Sequence, residues 1–225
     1  MQNNNDKKII NSWKTNAAPW ISAIRKNEIK SRLLVTNNAI VEAVINSQAK
    51  TALDVGCGEG WLTRELQNLN ISTLGVDAIP ELINSALEQN NGRFKVMTYE
   101  NISHTTLNEK FDAVVCNFSL LGDESVSGLF EQIPLLLSEG GSFIIQTIHP
   151  ILGCGDGEYI DGWREGSWRG FNNDFSDPAP WYFRTLDTWK VLFHENGFVL
   201  DELIAPVNEK TGVVASVIFV GRVRA

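Results

Sequence analysis

At 225 residues and 43% hydrophobic content the chain is long enough to bury a substantial core. A net charge of −8, with no dense Lys/Arg cluster, argues against a nucleic-acid backbone as partner. No apolar run reaches membrane-spanning length, and Met1–Lys8 lacks the apolar core of a leader, so a cytoplasmic protein is expected. Three scattered cysteines (Cys57, Cys116, Cys154) and three scattered histidines have no metal-ligand spacing, so neither a metal site nor a disulfide framework is expected.

In chain order, residues 6–48 read as helical. Ile9, Ile10 and Trp13, then Trp20, Ile21 and Ile24, supply apolar faces, and Pro19 opens the second helix. A third helix spans Leu33 to Ile45. From residue 51 strands and helices alternate. Strands are expected at Thr51–Val55, Ser72–Asp77, Arg93–Thr98, Phe111–Cys116 and Ser142–Thr147. Helices are expected at Trp61–Leu69, Pro80–Gln89 and Asp123–Ser138, the last kinked at Pro134 and stopped by Gly140-Gly141. Such alternation implies a parallel sheet covered by helices on both faces. The pattern breaks over residues 150–184, which are rich in Gly, Pro, Trp and acidic residues and show no period; a loop of that length is expected to be a lid or binding insertion. A helix at Leu186–Asn196 and two apolar runs, Phe198–Ile204 and Val213–Val220, close the chain as an antiparallel pair at the sheet edge.

The apolar run Ala52–Val55 enters Gly56-Cys57-Gly58-Glu59-Gly60, a helix begins at Trp61, and Asp77 closes the next strand. A glycine loop between strand and helix, with a carboxylate on the following strand, is how an open α/β sheet makes a nucleoside pocket. A dinucleotide G-x-G-x-x-G site needs its third glycine at position 61, where this chain has Trp61, and Glu59 suits a pyrophosphate poorly. No Lys-Ser/Thr pair marks a P-loop. A ligand with ribose and adenine but no phosphate fits better, with Asp77 accepting from the ribose diol. A nicotinamide oxidoreductase is the more remote alternative, and a non-catalytic nucleoside-binding regulatory protein the nearer one.

LDVGCGEG, GVD, FDAVVCNFSLL and LLLSEGGSFIIQTIHP resemble, in order and spacing, the class I S-adenosylmethionine-dependent methyltransferases of small molecules. The resemblance implies a Rossmann-like, seven-stranded mixed sheet whose last strand is antiparallel, in a single methyltransferase domain. Residues 1–48 would be an N-terminal helical cover, 50–149 the cofactor core, 150–184 the lid insertion after strand 5, and 185–225 the closing helix and strand pair. It implies S-adenosyl-L-methionine over Gly56, Cys57, Gly58 and Gly60, with Asp54 organising the loop and Asp77 holding the ribose. Ala78 and Ile79 would flank the adenine, Glu100 would meet its amine, and Asn117 and Phe118 would run beside the methionine and methyl group.

A sulfonium methyl is already electrophilic, so the protein must place a nucleophile in line with it and sometimes remove a proton. His149, at the end of strand 5 beside Pro150, is the candidate base, and Tyr182 a second catalytic candidate. Trp163, Arg164, Trp181 and Arg184 of the insertion are candidate acceptor contacts, an arginine suiting a carboxylate. Trp20 and Arg25, with Arg32, are candidates on the N-terminal helices for the acceptor or the methionine carboxylate. The strand 4 end, Asn117-Phe118-Ser119-Leu120, lacks the prolines of the N/D-P-P-Y/F signature found in methyltransferases of nucleic acids and glutamine side chains. The expected acceptor is therefore a small molecule; the methylated atom and the oligomeric state stay open.

Overall fold

The computed structural model describes residues 4–89 and 91–224. Met1–Asn3, within the segment read as lacking a leader, lie outside the described residues, as do Asn90 and Ala225.

Seven strands form one sheet: β1 (Thr51–Val55), β2 (Ser72–Asp77), β3 (Arg93–Val96), β4 (Phe111–Asn117), β5 (Leu137–Thr147), β8 (Phe198–Ile204) and β9 (Val217–Val223). Their order is β3-β2-β1-β4-β5-β9-β8. The first five pair in parallel, and β9 runs antiparallel to both β5 and β8. The order reverses between β1 and β4, so a crevice opens at their carboxyl ends, the switch point where such sheets bind ligands.

The central strands are largely apolar because both their faces are covered; the polar exceptions include Asp54 on β1 and Asn117 and Gln146 at the ends of β4 and β5. Val114 and Cys116 of β4 point into one core, Ala113 and Val115 into the other. The first core is dominated by α7 (Glu124–Leu136) and α9 (Leu186–Glu195) against the sheet. There Phe130 lies 4.9 Å from Phe143 and 5.3 Å from Phe193, ring centroid to centroid. The second core is built by α3 (Asn37–Asn46) and α4 (Trp61–Asn68). Cys57 and Cys116 are buried free thiols, and burial pushes both further from ionisation.

Several boundaries differ from those expected. α7 ends at Leu136, and Gly140-Gly141 lie inside β5 rather than at a helix stop. Pairing jumps from Phe111–Leu137 to Ala113–Ser142, so residues 138–141 loop out against the single residue Asp112. A Cβ at Gly141 would come within 3.0 Å of the Ser138 carbonyl, which is why the excursion needs a glycine there. β3 stops at Val96, two residues early. The final strand starts at Val217, while Val214 makes an isolated bridge to Val207. The third N-terminal helix begins with a π turn, Arg32–Thr36, and α2 (Ala17–Arg25) starts two residues before Pro19. The 150–184 segment is not structureless: it carries α8 (Pro150–Cys154), β6 (Gly162–Arg164), β7 (Trp181–Phe183) and an antiparallel β6–β7 pair. Among the described residues no helix is long and apolar enough to cross a membrane.

Candidate functional site

A cavity of about 590 Å³ occupies the switch-point crevice and extends beneath α1 (Asn4–Thr15), α2 and the 150–184 segment. Its floor is the turn after β1. Gly56, Gly58 and Gly60 all have left-handed backbones, φ +73°, +59° and +85°. A Cβ on Gly56 would lie 2.3 Å from Cβ of Ser119, so the β1 and β4 loops approach as they do because residue 56 has no side chain. Gly56 and Cys57 both donate to the Val76 carbonyl, at 2.8 and 3.0 Å, which ties the turn to β2.

Asp77 ends β2 at the cavity wall. Its Oδ2 accepts from Gly58 N–H and its Oδ1 from Ile79 N–H, both at 2.9 Å. One backbone bond per oxygen fixes the carboxylate and leaves each oxygen a lone pair. Burial pushes its pKa up, and the N–H groups of Ile79, Gly58 and Ala78 oppose that. Ala78, Ile79 and Glu100 line the same end of the cavity.

Asp54 and Gly60 lie behind this wall. Asp54 is 1% exposed and accepts from Thr63 Oγ1 at 2.9 Å. Burial pushes its carboxyl up to about 7 against the Thr63 hydroxyl, with the Asp77 and Glu59 charges adding to the rise. Gly60 packs on Phe94, where a Cβ would meet the ring at 2.6 Å. Glu59 also turns away from the cavity, is 1% exposed and pairs with Arg64 Nη2 at 2.6 Å. Glu59, expected to suit a pyrophosphate poorly as an anion in the loop, thus has its charge taken up by a neighbour on α4 and lies off the cavity wall.

Past the turn, Asn117 and Phe118 line the cavity at the end of β4. Gln146 Nε2 donates to Asn117 Oδ1 at 2.9 Å and to the Thr36 carbonyl at 3.0 Å. Phe118 holds φ +54°, a left-handed conformation costly for an aromatic residue, and its N–H donates to the Gln146 carbonyl. Tyr99, absent from the sequence candidates, donates its hydroxyl to the Ser119 carbonyl at 2.8 Å, and Ser119 donates to the Val55 carbonyl at 2.7 Å.

The roof is aromatic. Trp20, a sequence candidate, is on it, joined by Trp13 at 5.1 Å edge-on. Trp13 meets Trp168 of the insertion at 5.7 Å, and Trp20 meets Phe171 at 6.2 Å. Polar bonds fasten the two halves. Asn16 donates to the Ser176 carbonyl at 2.8 Å and accepts from its N–H at 2.9 Å, and Ser12 donates to the Asp177 carbonyl at 2.6 Å. Arg32 lies 4.7 Å over Trp61 and 5.8 Å from Trp20. Its buried Nη2 has no hydrogen-bond partner; burial pushes the guanidinium down to about 10, against the pull of Glu59.

At the far end Trp181, Tyr182 and Arg184 line the cavity. Arg184 is 4% exposed, and its donors are engaged by the Gly122 carbonyl at 2.8 Å and by Asp123 at 3.1 and 3.2 Å. It therefore braces the loop after β4 instead of presenting a fork to a carboxylate. Burial and the Asp123 and Asp161 charges push Tyr182 up, against the Arg184 cation 4.7 Å from its ring.

Four expected contacts are not on the cavity wall. His149 caps α8, its Nδ1 accepting from Ile151 N–H at 3.3 Å. Arg25 reaches Ser85 Oγ at 2.7 Å, on α5 (Pro80–Leu87). Arg164 donates to the Glu158 and Ile160 carbonyls, and Trp163 packs edge-on against Tyr182 at 5.4 Å. Among the described residues no group of three His, Cys, Asp or Glu side chains gathers as metal ligands.

Comparison with known proteins agrees with this architecture. A family model described as a methyltransferase domain matches residues 28–203. Nodulation protein S of Azorhizobium caulinodans is 28% identical over 111 residues, covering 48% of this chain and 54% of that protein. The human mitochondrial ubiquinone biosynthesis O-methyltransferase is 32% identical over 105 residues, 43% of this chain and 28% of that one. The chain thus spans about half, or less, of the length of these curated relatives. A crystal structure of magnesium protoporphyrin IX methyltransferase from Synechocystis, with bound SAH, superposes with a TM-score of 0.67 at 14% identity, covering 97% of this chain and 100% of that one. With its family match and its β3-β2-β1-β4-β5-β9-β8 sheet, the chain belongs to the methyltransferase-domain family and has the fold of the class I S-adenosylmethionine-dependent methyltransferases.

Proposed function

We propose that this protein is an S-adenosylmethionine-dependent methyltransferase acting on a small-molecule acceptor in the cytoplasm. The observation that carries the reading is Asp77, clamped by two backbone N–H groups at the mouth of a cavity that continues beyond the glycine turn under an aromatic roof. About 590 Å³ is within the range of a small-ligand site.

The residues present fit the cofactor. The Asp77 lone pairs suit a ribose diol, and Gly58 lines the cavity with Trp20 Nε1 at van der Waals distance, 3.6 Å from where a Cβ would stand. The buried, unpartnered Nη2 of Arg32 suits the methionine carboxylate. Ala78 and Ile79 would flank the adenine, with Glu100 at its amine. Asn117 and Phe118 would border the methionine and methyl group, with Asp54 steadying the turn from behind. When bound, the cofactor supplies an electrophilic methyl group and a neutral thioether leaving group. The chain's own work is to orient the acceptor in line with that methyl and to exclude water beneath Trp13, Trp20 and Trp168. Trp181 and Tyr182 would face the acceptor.

Calorimetry tests this. S-adenosylmethionine and S-adenosylhomocysteine should bind with micromolar affinity and NAD should not bind. Asp77→Ala should weaken binding by about 1–3 kcal/mol through loss of a charged acceptor. Binding of NAD in place of S-adenosylhomocysteine would refute the reading. Tight cofactor binding without methyl transfer to any compound of a metabolite extract would favour a regulatory nucleoside-binding protein.

A further inference from the structure

The acceptor end of the cavity contains one carboxylate to which the reading above gives no role. Asp6, in the first turn of α1, is 6% exposed, and its Oδ1 has no hydrogen-bond partner. It lines the cavity together with Leu121, Gly122, Ser125 and Tyr182. A Cβ on Gly122 would stand 2.5 Å from this oxygen, so the carboxylate reaches the loop after β4 only because residue 122 is glycine. That loop continues from Asn117 and Phe118, which border the proposed methyl group. Burying an acid with an unpartnered oxygen costs free energy, and such a cost is retained where a ligand completes the bonding.

Resting on the methyltransferase reading, we infer that Asp6 is the catalytic acid–base residue for the acceptor. Its Oδ1 accepts a hydrogen bond from a protic nucleophile, the O–H or N–H of a small molecule, and takes that proton during transfer. The acceptor's oxygen or nitrogen lone pair forms the bond to the methyl carbon. The carbon–sulfur bond breaks with its electron pair left on sulfur. The acceptor's proton passes to Oδ1, its former bonding pair staying on the nucleophile. The sulfonium charge and the carboxylate charge disappear together, so no net charge is left in an apolar enclosure.

The surroundings suit a base. Burial raises the Asp6 pKa, and the nearby Glu124 charge adds to the rise. The N–H groups of Ser125 and Asp123 and the Ser125 hydroxyl oppose it. Arg184 is close enough to feel the Asp6 charge, yet its donors go to Gly122 and Asp123, and Tyr182 shares the wall. Lys7 and Lys8, on the same helix, are exposed.

The test uses Asp6→Asn, which keeps the shape and an oxygen acceptor for Ser125. Thermal midpoint and S-adenosylhomocysteine affinity are measured first, then labelled methyl transfer to a panel of small primary amines and phenols between about pH 5 and 9. Calorimetry follows on the same panel with the S-adenosylhomocysteine-saturated protein. The expected result is unchanged midpoint and cofactor affinity, kcat lower by about 100-fold or more, loss of the acid limb of the pH profile, and weaker binding of the accepted compound. The amine and phenol arms identify the nucleophile. The assignment is overturned if the variant keeps kcat within about threefold with its acid limb intact. It is also overturned if the wild type binds S-adenosylhomocysteine but methylates no member of the panel, which leaves the methyltransferase reading standing. Failure of the wild type to bind S-adenosylhomocysteine is seen in the first step and removes both. If Asp6→Asn does not fold, the wild type decides: its Asp6 carboxyl ¹³C resonance must shift when a panel compound binds the S-adenosylhomocysteine complex, and an unmoved resonance overturns the assignment.

Discussion

The floor and the roof of the cavity are built by different physics. On the floor the backbone does the holding: Gly56, Gly58 and Gly60 sit at positive φ, and Asp77 is clamped by two N–H groups. In the roof, side chains do it, through aromatic edges between Trp13, Trp20, Trp168 and Phe171 and a few bonds at Ser12 and Asn16. A backbone-built site has one geometry and suits an invariant ligand. A side-chain-built roof is held by fewer backbone bonds, and opening it for a ligand that enters and leaves would break few of them.

Breaking the floor has the largest expected effect. Gly56→Ala imposes a side chain at φ +73° and a clash with Ser119, so it should cost about 2–5 kcal/mol in denaturant unfolding and abolish S-adenosylhomocysteine binding. Next comes the buried charge behind the floor. The Asp54 pKa is raised from the ordinary 3.8 to about 7, so between those values the folded chain holds a proton that the unfolded chain has released. The wild type should therefore lose stability as pH rises from about 4 to 7 and level off above, on the order of a few kcal/mol in total. Asp54→Asn should remove that slope; identical slopes in the two proteins would contradict the burial argument.

The difference between floor and roof also decides what the sequence reveals. The floor is local: three glycines within five residues, and a carboxylate closing the next strand. It is readable without coordinates, as are β1, β2 and β4 from their apolar runs. What the pattern there does not carry is side-chain direction. Glu59 sits in the turn by sequence yet pairs with Arg64, five positions on. The roof is assembled over distance: Asn16 meets Ser176, 160 residues away, and Ser12 meets Asp177. No periodicity records such contacts, so the insertion's strands β6 and β7, the bonds of Tyr99 and the placing of Asp6 on the cavity wall emerge only from the fold, whereas Arg32 is already a candidate for the methionine carboxylate from the sequence. His149 shows the converse. Its position after β5 suggested a base, but the start of α8 turns its ring to the Ile151 amide.

Roof variants should act more gently. Asn16→Ala removes two bonds to Ser176 and should cost about 1–3 kcal/mol locally. Hydrogen exchange should show this as faster amides over residues 168–177, with those of β1, β4 and β5 unchanged. Uniform loss of protection would mean that roof and floor unfold together. The smallest effect belongs to His149→Ala. Losing the cap of a five-residue helix should cost under about 1 kcal/mol and leave methyl transfer within about threefold of wild type. A much larger drop in turnover would return His149 to the chemistry.

The most direct test of the central claim is a crystal structure with S-adenosylhomocysteine. The account predicts both ribose hydroxyls on the Asp77 carboxylate, the amino-acid carboxylate at Arg32, and the sulfur pointing past Asn117 and Phe118 towards Asp6. A nucleoside seated away from Asp77, or a sulfur directed out of the roofed cavity, would contradict it.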